Sequence, residues 1–454
     1  MALQSINPAT GTLLGTHEEF SAAQVQEAVE AAHRAFLDWA KTDFPERAAR
    51  LREAARRLRA GRERFAALMT AEMGKPIAQA RAEADKCAAC CEFFADHAAE
   101  LLTPEAVRTE ARRSYVRFQP LGVVLAVMPW NFPFWQVFRA AVPALMAGNA
   151  VILKHASNVT GCALACEEIL QGAGLPSGLF RAVLVVGRRV SELVAHPRVR
   201  AVTLTGSTAA GAAVAAQAGA LLKKTVLELG GSDPYLVLED ADLPATVETC
   251  VAARLINSGQ SCIAAKRFLV VESVRRPFEE LLVSRMKQQT LGDPLRPDTT
   301  IGPLARLDLR DELVHQLDRS VAAGAQLLYR GPIPAGPGAF FAPAVLTGVR
   351  QGMAAFDEET FGPIAAVVPV RNEAEAIQAA NNTPFGLGAA VFTADLERGE
   401  RVAAQLEAGC VFVNDFVRSD PRLPFGGVKQ SGYGRELSSF GLREFVNVQT
   451  VWVK

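Results

Sequence analysis

The chain has 454 residues, half of them apolar, which is enough for two or three domains with large cores. Basic and acidic residues balance at 48 each, so no net field draws nucleic acid or an anionic membrane surface. No window holds the roughly eighteen uninterrupted apolar residues of a membrane span, and the start Met1-Ala-Leu-Gln-Ser-Ile-Asn-Pro8 lacks a basic segment followed by an apolar one, so a cytoplasmic location is expected.

Apolar positions at helical spacing predict helices over 22–40, 46–70 and 76–101, with the arginines between Arg47 and Arg64 on a solvated face. Strands are predicted at 114–119, 123–128 and 150–154, with a helix over 138–148 between the last two. The theme repeats as helix 160–173, strand 181–186, helix 190–196, strand 201–205, helix 209–219 and strand 225–228. Such alternation implies a parallel sheet covered on both faces, with ligands beyond the carboxyl ends of its strands. A second alternating segment runs from Asn257 through a helix over 305–323 and the apolar run Phe361 to Val370 to a helix over 373–381, which predicts another α/β unit. The Gly- and Pro-rich piece 331–338 reads as a surface loop, and Phe445 to Val453 alternates as an edge strand that wants a partner such as another subunit.

Of the eight cysteines, Cys87, Cys90, Cys91, Cys162 and Cys166 fall in Ala- and Glu-rich helical stretches without a second ligand pair. They read as packing residues of a reduced protein, and no metal is expected. Cys262 differs, because Asn257-Ser-Gly-Gln-Ser-Cys262 frames it with small and polar residues that leave a sulfur approachable; a buried small hydrophobe is the other reading. Upstream, Leu227-Glu-Leu-Gly-Gly231 sets the carboxylate of Glu228 between leucines and follows it with glycines that let the backbone pass close to a ligand. Gly206-Ser207-Thr208 follows a predicted strand and opens a helix, where a phosphate could sit and where an ordinary helix cap would look the same.

In order, Pro129-Trp-Asn-Phe-Pro133, Lys154-His-Ala-Ser157, Gly206-Ser-Thr-Ala-Ala-Gly211, Leu227-Glu-Leu-Gly-Gly231, Gly259-Gln-Ser-Cys262, Glu358-Glu-Thr-Phe-Gly-Pro363 and Pro424-Phe-Gly-Gly-Val-Lys-Gln-Ser-Gly-Tyr-Gly-Arg-Glu436 closely resemble the signature series of the aldehyde dehydrogenase superfamily. The likeness covers nearly the whole chain, and its wording is most similar to a bacterial-type, NADP-dependent succinate-semialdehyde dehydrogenase branch. The resemblance implies an α/β fold with a Rossmann-like cofactor domain (1–109 and 124–228), a catalytic domain (229–405), a return segment (406–430) and a small β oligomerisation hairpin from 110–123 and 431–454. A homodimer or homotetramer is then expected.

The resemblance also assigns roles. Cys262 would attack the aldehyde carbon of succinate semialdehyde, Asn131 and the Cys262 N–H would hold the oxyanion, and Glu228 would activate the water that hydrolyses the thioester to succinate. Lys154 and Glu359 would hold the two riboses of the cofactor, Phe361 and Trp130 would line the nicotinamide site, and Gly206, Ser207 and Leu229 would border the rest. NAD-preferring relatives commonly carry glutamate where this chain has Ser157; serine beside Lys154 can accept a 2′-phosphate, so NADP is expected, with NAD possible. Arg139 and Ser419 match residues that bind the second carboxylate of a semialdehyde. A further family arginine is replaced by Ile256, and Arg418 or Arg422 could substitute for it. Ala264 stands where some relatives place a redox-switch cysteine, so no disulfide control is expected. The same chemistry on a longer or aliphatic aldehyde, and a catalytically silent nucleotide-binding homologue, are the alternatives.

Overall fold

Two parallel sheets organise the chain in the computed structural model, which describes residues 2–454. The first has six strands in the order Gly432–Tyr433, Lys224–Glu228, Val199–Thr205, Val123–Met128, Ala150–His155 and Phe180–Ala182. All run parallel except Gly432–Tyr433, which pairs antiparallel with Leu227 and Glu228. The second has seven, in the order Gln326–Arg330, Ala344–Thr347, Ile364–Val370, Ala265–Val271, Asp233–Val237, Gly388–Phe392 and Cys410–Val413, antiparallel only at its first edge. This sheet runs past the expected domain limit at 405, because Cys410–Val413 pairs with Gly388–Phe392. Its central strands, such as Ala265–Val271, Ile364–Val370 and Gly388–Phe392, are short apolar runs buried on both faces, as crossover helices require.

Local chemistry explains where the elements begin and end. The single helix expected over 46–70 is two, Phe44–Ala60 and Arg62–Met73, because Gly61 ends one and begins the other while the ring of Phe65 fills the space a side chain at 61 would need. Trp135–Met146 starts three residues earlier than expected. Its first N–H groups, on Phe134 and Trp135, donate at 2.9 Å each to the carboxylate of Glu83, which caps the helix from another element. The strand expected over 181–186 is only Phe180–Ala182, and an N-terminal hairpin, Ala2–Ile6 with Leu13–Glu18, was not anticipated.

Arg113–Pro120 pairs antiparallel with Val446–Val453 along eight residues, with Glu105–Ala106 at its other edge. The expected hairpin segments are thus trimmed, since Val123 belongs to the first sheet and Gly432–Tyr433 to its edge. No helix among the described residues is long and apolar enough to cross a membrane. Cys87, Cys90, Cys91, Cys162, Cys166 and Cys250 are buried, and burial raises their thiols, Cys90 to about 12.

Candidate active site

Cys262 is half-buried, directly after a loop that three consecutive left-handed residues fold back on itself: Asn257 (φ 52°), Ser258 (φ 58°) and Gly259 (φ 80°). Two of these are not glycine, a conformation costing about 1–3 kcal/mol each unless its surroundings enforce it. Here they do. The Asn257 N–H donates to Gln79 Oε1 at 2.6 Å, its side-chain amide donates to the carbonyls of Asn131 (2.7 Å) and Gln260 (3.1 Å), and Ser258 Oγ accepts from the N–H of Gly302 at 2.9 Å. Gly259 lies against the backbone of Gly362, which leaves no room for a Cβ. Beyond the nucleophile, the buried Lys266 donates to the carbonyls of Ser261 (3.0 Å) and Cys262 (2.7 Å).

Asn131 faces this loop from the other domain. Its Nδ2 donates to the Gln260 carbonyl at 3.1 Å, leaving a second amide hydrogen unengaged, and the Cys262 N–H has no acceptor among the described residues. His155 anchors the segment that carries Asn131. Its Nε2 stands 2.8 Å from the Pro133 carbonyl, and its Nδ1 lies 3.1 Å from the Met128 carbonyl and 3.0 Å from the Ala156 nitrogen. Burial lowers its pKa to about 4, keeping the ring neutral.

Burial pushes the Cys262 thiol up to about 12, while Arg139 and Lys266 pull against it. Glu228, at the end of Lys224–Glu228, is buried with neither oxygen hydrogen-bonded. Burial, then the nearby Glu436, drive its pKa well above 4.5, and Arg139 opposes them. Glu436 pairs with Arg139, which also stands 3.4 Å from Thr205 Oγ1 and lies 4.8 Å over the ring of Phe425. Arg139 is therefore a buried, compensated charge felt by both Cys262 and Glu228, which do not touch each other through any hydrogen bond.

The residues expected around the cofactor gather at the carboxyl end of the first sheet. Lys154 lies in Ala150–His155; it is buried, desolvation lowers its pKa, and its ammonium has no hydrogen-bond or ion-pair partner among the described residues. Ser157 opens the turn three residues on. Gly206 and Ser207 lead into Thr208–Ala220, and the Ser207 side chain caps that helix through the Ala210 N–H at 3.3 Å. Trp130 meets Phe361 edge to face at 5.7 Å. Glu359 accepts from the Gly231 N–H at 3.0 Å and stands 3.4 Å from Lys266. The Leu229 side chain packs in the core against Gly211. The two glycines after it make room for protein rather than ligand: a Cβ at Gly231 would lie 2.8 Å from the Cys262 carbonyl, and one at Gly230 would press on Glu359.

A cavity of about 50 Å³ is lined by Cys262, Arg139, Ser419, Phe425, Lys86 and Ile256 among others, and a larger one of about 450 Å³ shares Lys86, Phe132, Trp135 and Ile256 with it. Lys86 was not anticipated. It lies among alanines and carboxylates in the helix Ile77–Leu101, and nothing local marks it out, yet its ammonium donates to Ser419 Oγ at 2.8 Å. Of the arginines offered in place of the one missing at Ile256, Arg422 is held on Asp420 at the surface and lines neither cavity. Arg418 lines the smaller cavity but is paired with Asp415 at 2.7 Å.

Residues 1–451 match the aldehyde dehydrogenase family. The chain is 50% identical over 453 residues to the probable NADP-dependent succinate-semialdehyde dehydrogenase of Synechocystis, with both chains covered in full. It is 47% identical to the NAD(P)-dependent succinate semialdehyde dehydrogenase of Escherichia coli, over 99% of this chain and 97% of that one. The crystal structure of succinic semialdehyde dehydrogenase from Streptococcus pyogenes with NADP superposes with a TM-score of 0.97 at 38% identity, covering both chains in full. Matched to that family over residues 1–451 and half identical along its whole length to the Synechocystis protein, the chain belongs to the aldehyde dehydrogenase family.

Proposed function

We propose that this protein oxidises succinate semialdehyde to succinate with NADP as its preferred hydride acceptor. The observation that carries this reading is that Cys262, Arg139 and Ser419, drawn from segments far apart in sequence, line one cavity. The names of its relatives support the same substrate and cofactor.

The residues fit the cofactor. Lys154 offers an unpartnered cation at the carboxyl edge of a parallel sheet, and Ser157 supplies a hydroxyl where a carboxylate would repel a 2′-phosphate. Trp130 and Phe361 form an apolar wall near Cys262, and the start of Thr208–Ala220 provides a helix N-terminus suited to the pyrophosphate. Glu359 is the ribose ligand of this reading, through the oxygen that Lys266 and Gly231 leave open.

In the proposed reaction the Cys262 thiol gives up its proton to water and the sulfur adds to the aldehyde carbon. The oxygen that becomes anionic accepts hydrogen bonds from the free hydrogen of Asn131 Nδ2 and from the Cys262 N–H. NADP, when bound, would supply the hydride acceptor needed for the thiohemiacetal on Cys262 to collapse to a thioester. Glu228, once ionised, is a strong base because its raised pKa reflects poor solvation of the charge, and it takes a proton from the water that hydrolyses the thioester. Succinate and the free thiol result.

The strand Val446–Val453 exposes Val448 and Trp452 and supports assembly into a homo-oligomer through this edge. Initial rates for four aldehydes crossed with NAD and NADP test the whole reading. A clear NAD advantage, or butanal turned over as well as succinate semialdehyde, overturns it.

A further inference from the structure

Lys86 stands at the seam of the two cavities, with its ammonium 2.8 Å from Ser419 Oγ and 4.3 Å from the centre of the Trp135 ring. Its position is fixed from below. Glu83, one turn earlier on the same helix, is held by the buried Lys75 and caps Trp135–Met146, so the helix carrying Lys86 and the helix carrying Trp135 and Arg139 are locked together.

What sets Lys86 apart is its lack of an acidic partner. Among the cations lining the smaller cavity, Arg139 is balanced by Glu436 and Arg418 by Asp415. Among the described residues Lys86 has no carboxylate within ion-pair distance: Glu83 is paired with Lys75, and Asp420, which feels the Lys86 charge, is paired with Arg422. A lysine ammonium has three hydrogens, and Ser419 and the Trp135 ring leave room for one more acceptor. Ile256 lines both cavities beside it and brings no charge, while Phe132 and Trp135 supply apolar walls for methylene groups. A small cavity whose lining holds both a nucleophile and an unpaired cation with a hydroxyl is complementary to a short aldehyde bearing an anionic tail.

Resting on the substrate reading above, we propose that Lys86, together with Ser419, is the specificity-determining residue that receives the terminal carboxylate, and that Arg139 acts as a fixed positive charge between Cys262 and Glu228 rather than as the principal carboxylate ligand. Burial and the charge of Arg139 lower the Lys86 pKa to about 8, so the ammonium remains largely protonated at neutral pH, and an arriving carboxylate relieves the same penalty.

The test compares wild type, Lys86→Met and Lys86→Arg, each confirmed folded by its melting temperature, on succinate semialdehyde and on butanal with saturating NADP. Methionine keeps the packing on Trp135 and removes the charge. It is expected to lower the ratio of kcat/KM for succinate semialdehyde over butanal about ten- to a hundredfold, mostly through KM, as loss of one charged hydrogen bond implies. Arginine should restore most of that ratio. A ratio unchanged in Lys86→Met overturns the assignment, as does a methionine variant whose loss lies wholly in kcat. Wild-type enzyme that itself prefers butanal overturns the substrate reading and the assignment together, so the two failures are told apart by the wild-type ratio alone.

Discussion

The ammonium of Lys266 donates to the main-chain carbonyl of Cys262 over 2.7 Å, and the same group stands 3.4 Å from Glu359. One buried side chain thereby fixes the backbone of the nucleophile and the carboxylate proposed to hold a cofactor ribose. Lys266→Met keeps the length of the side chain and removes its donors, leaving the Cys262 carbonyl unsatisfied while that of Ser261 keeps the Ala264 N–H at 3.2 Å. Thermal and denaturant unfolding should show a loss of about 1–3 kcal/mol, and kcat should fall with it; a variant with wild-type stability and turnover would show that the loop holds itself.

Asn131→Ala removes the side-chain donor proposed for the oxyanion. Stopped-flow measurement of the first turnover should show a rate reduced by about a hundred- to a thousandfold, equivalent to about 2.7–4 kcal/mol of transition-state stabilisation. An unaffected first turnover assigns the oxyanion to the backbone alone.

Glu228→Gln separates the two halves of the reaction. With the base absent, one equivalent of NADPH per active site should form quickly and the thioester should persist, visible by intact mass as an adduct on Cys262. Prompt hydrolysis in the variant would show that another group activates the water.

The raised pKa of Glu228 also has a consequence for stability. The folded chain keeps a proton that the unfolded chain releases above about 4.5, so folding is favoured by this group below that pH and the advantage is lost as pH rises toward the folded value. Each pH unit in that window is worth about 1.4 kcal/mol. Glutamine, which does not titrate, should therefore gain stability relative to wild type as pH increases from 5 to 8. A difference in melting temperature that stays flat across this range would contradict the environment seen here.

Ser157→Glu places a carboxylate three residues beyond Lys154. The ratio of kcat/KM for NADP over NAD should fall by at least about tenfold, since a like charge beside a phosphate costs more than one ordinary hydrogen bond contributes. Constant-ratio kinetics would move the selection of the 2′-phosphate away from this turn.

Much of this enzyme could be read from short stretches of sequence. Alternating apolar runs and amphipathic helices predicted two parallel-sheet units, and Asn131, Glu228 and Cys262 stand in motifs whose wording needs no coordinates, because strand and helix periodicity and turn chemistry are properties of a few neighbouring residues. Even so, the break at Gly61 and the early start of Trp135–Met146 escaped local reasoning, the first through a packed Phe65 ring and the second through a cap supplied by Glu83. The partners of the charges could be decided only by the tertiary structure. Arg139 is neutralised by Glu436 from the far end of the chain, and Lys86 meets Ser419 across 333 residues. Which cation is balanced and which is left for a ligand depends on the segments that the folded core brings together, and periodicity along the chain carries no record of that pairing.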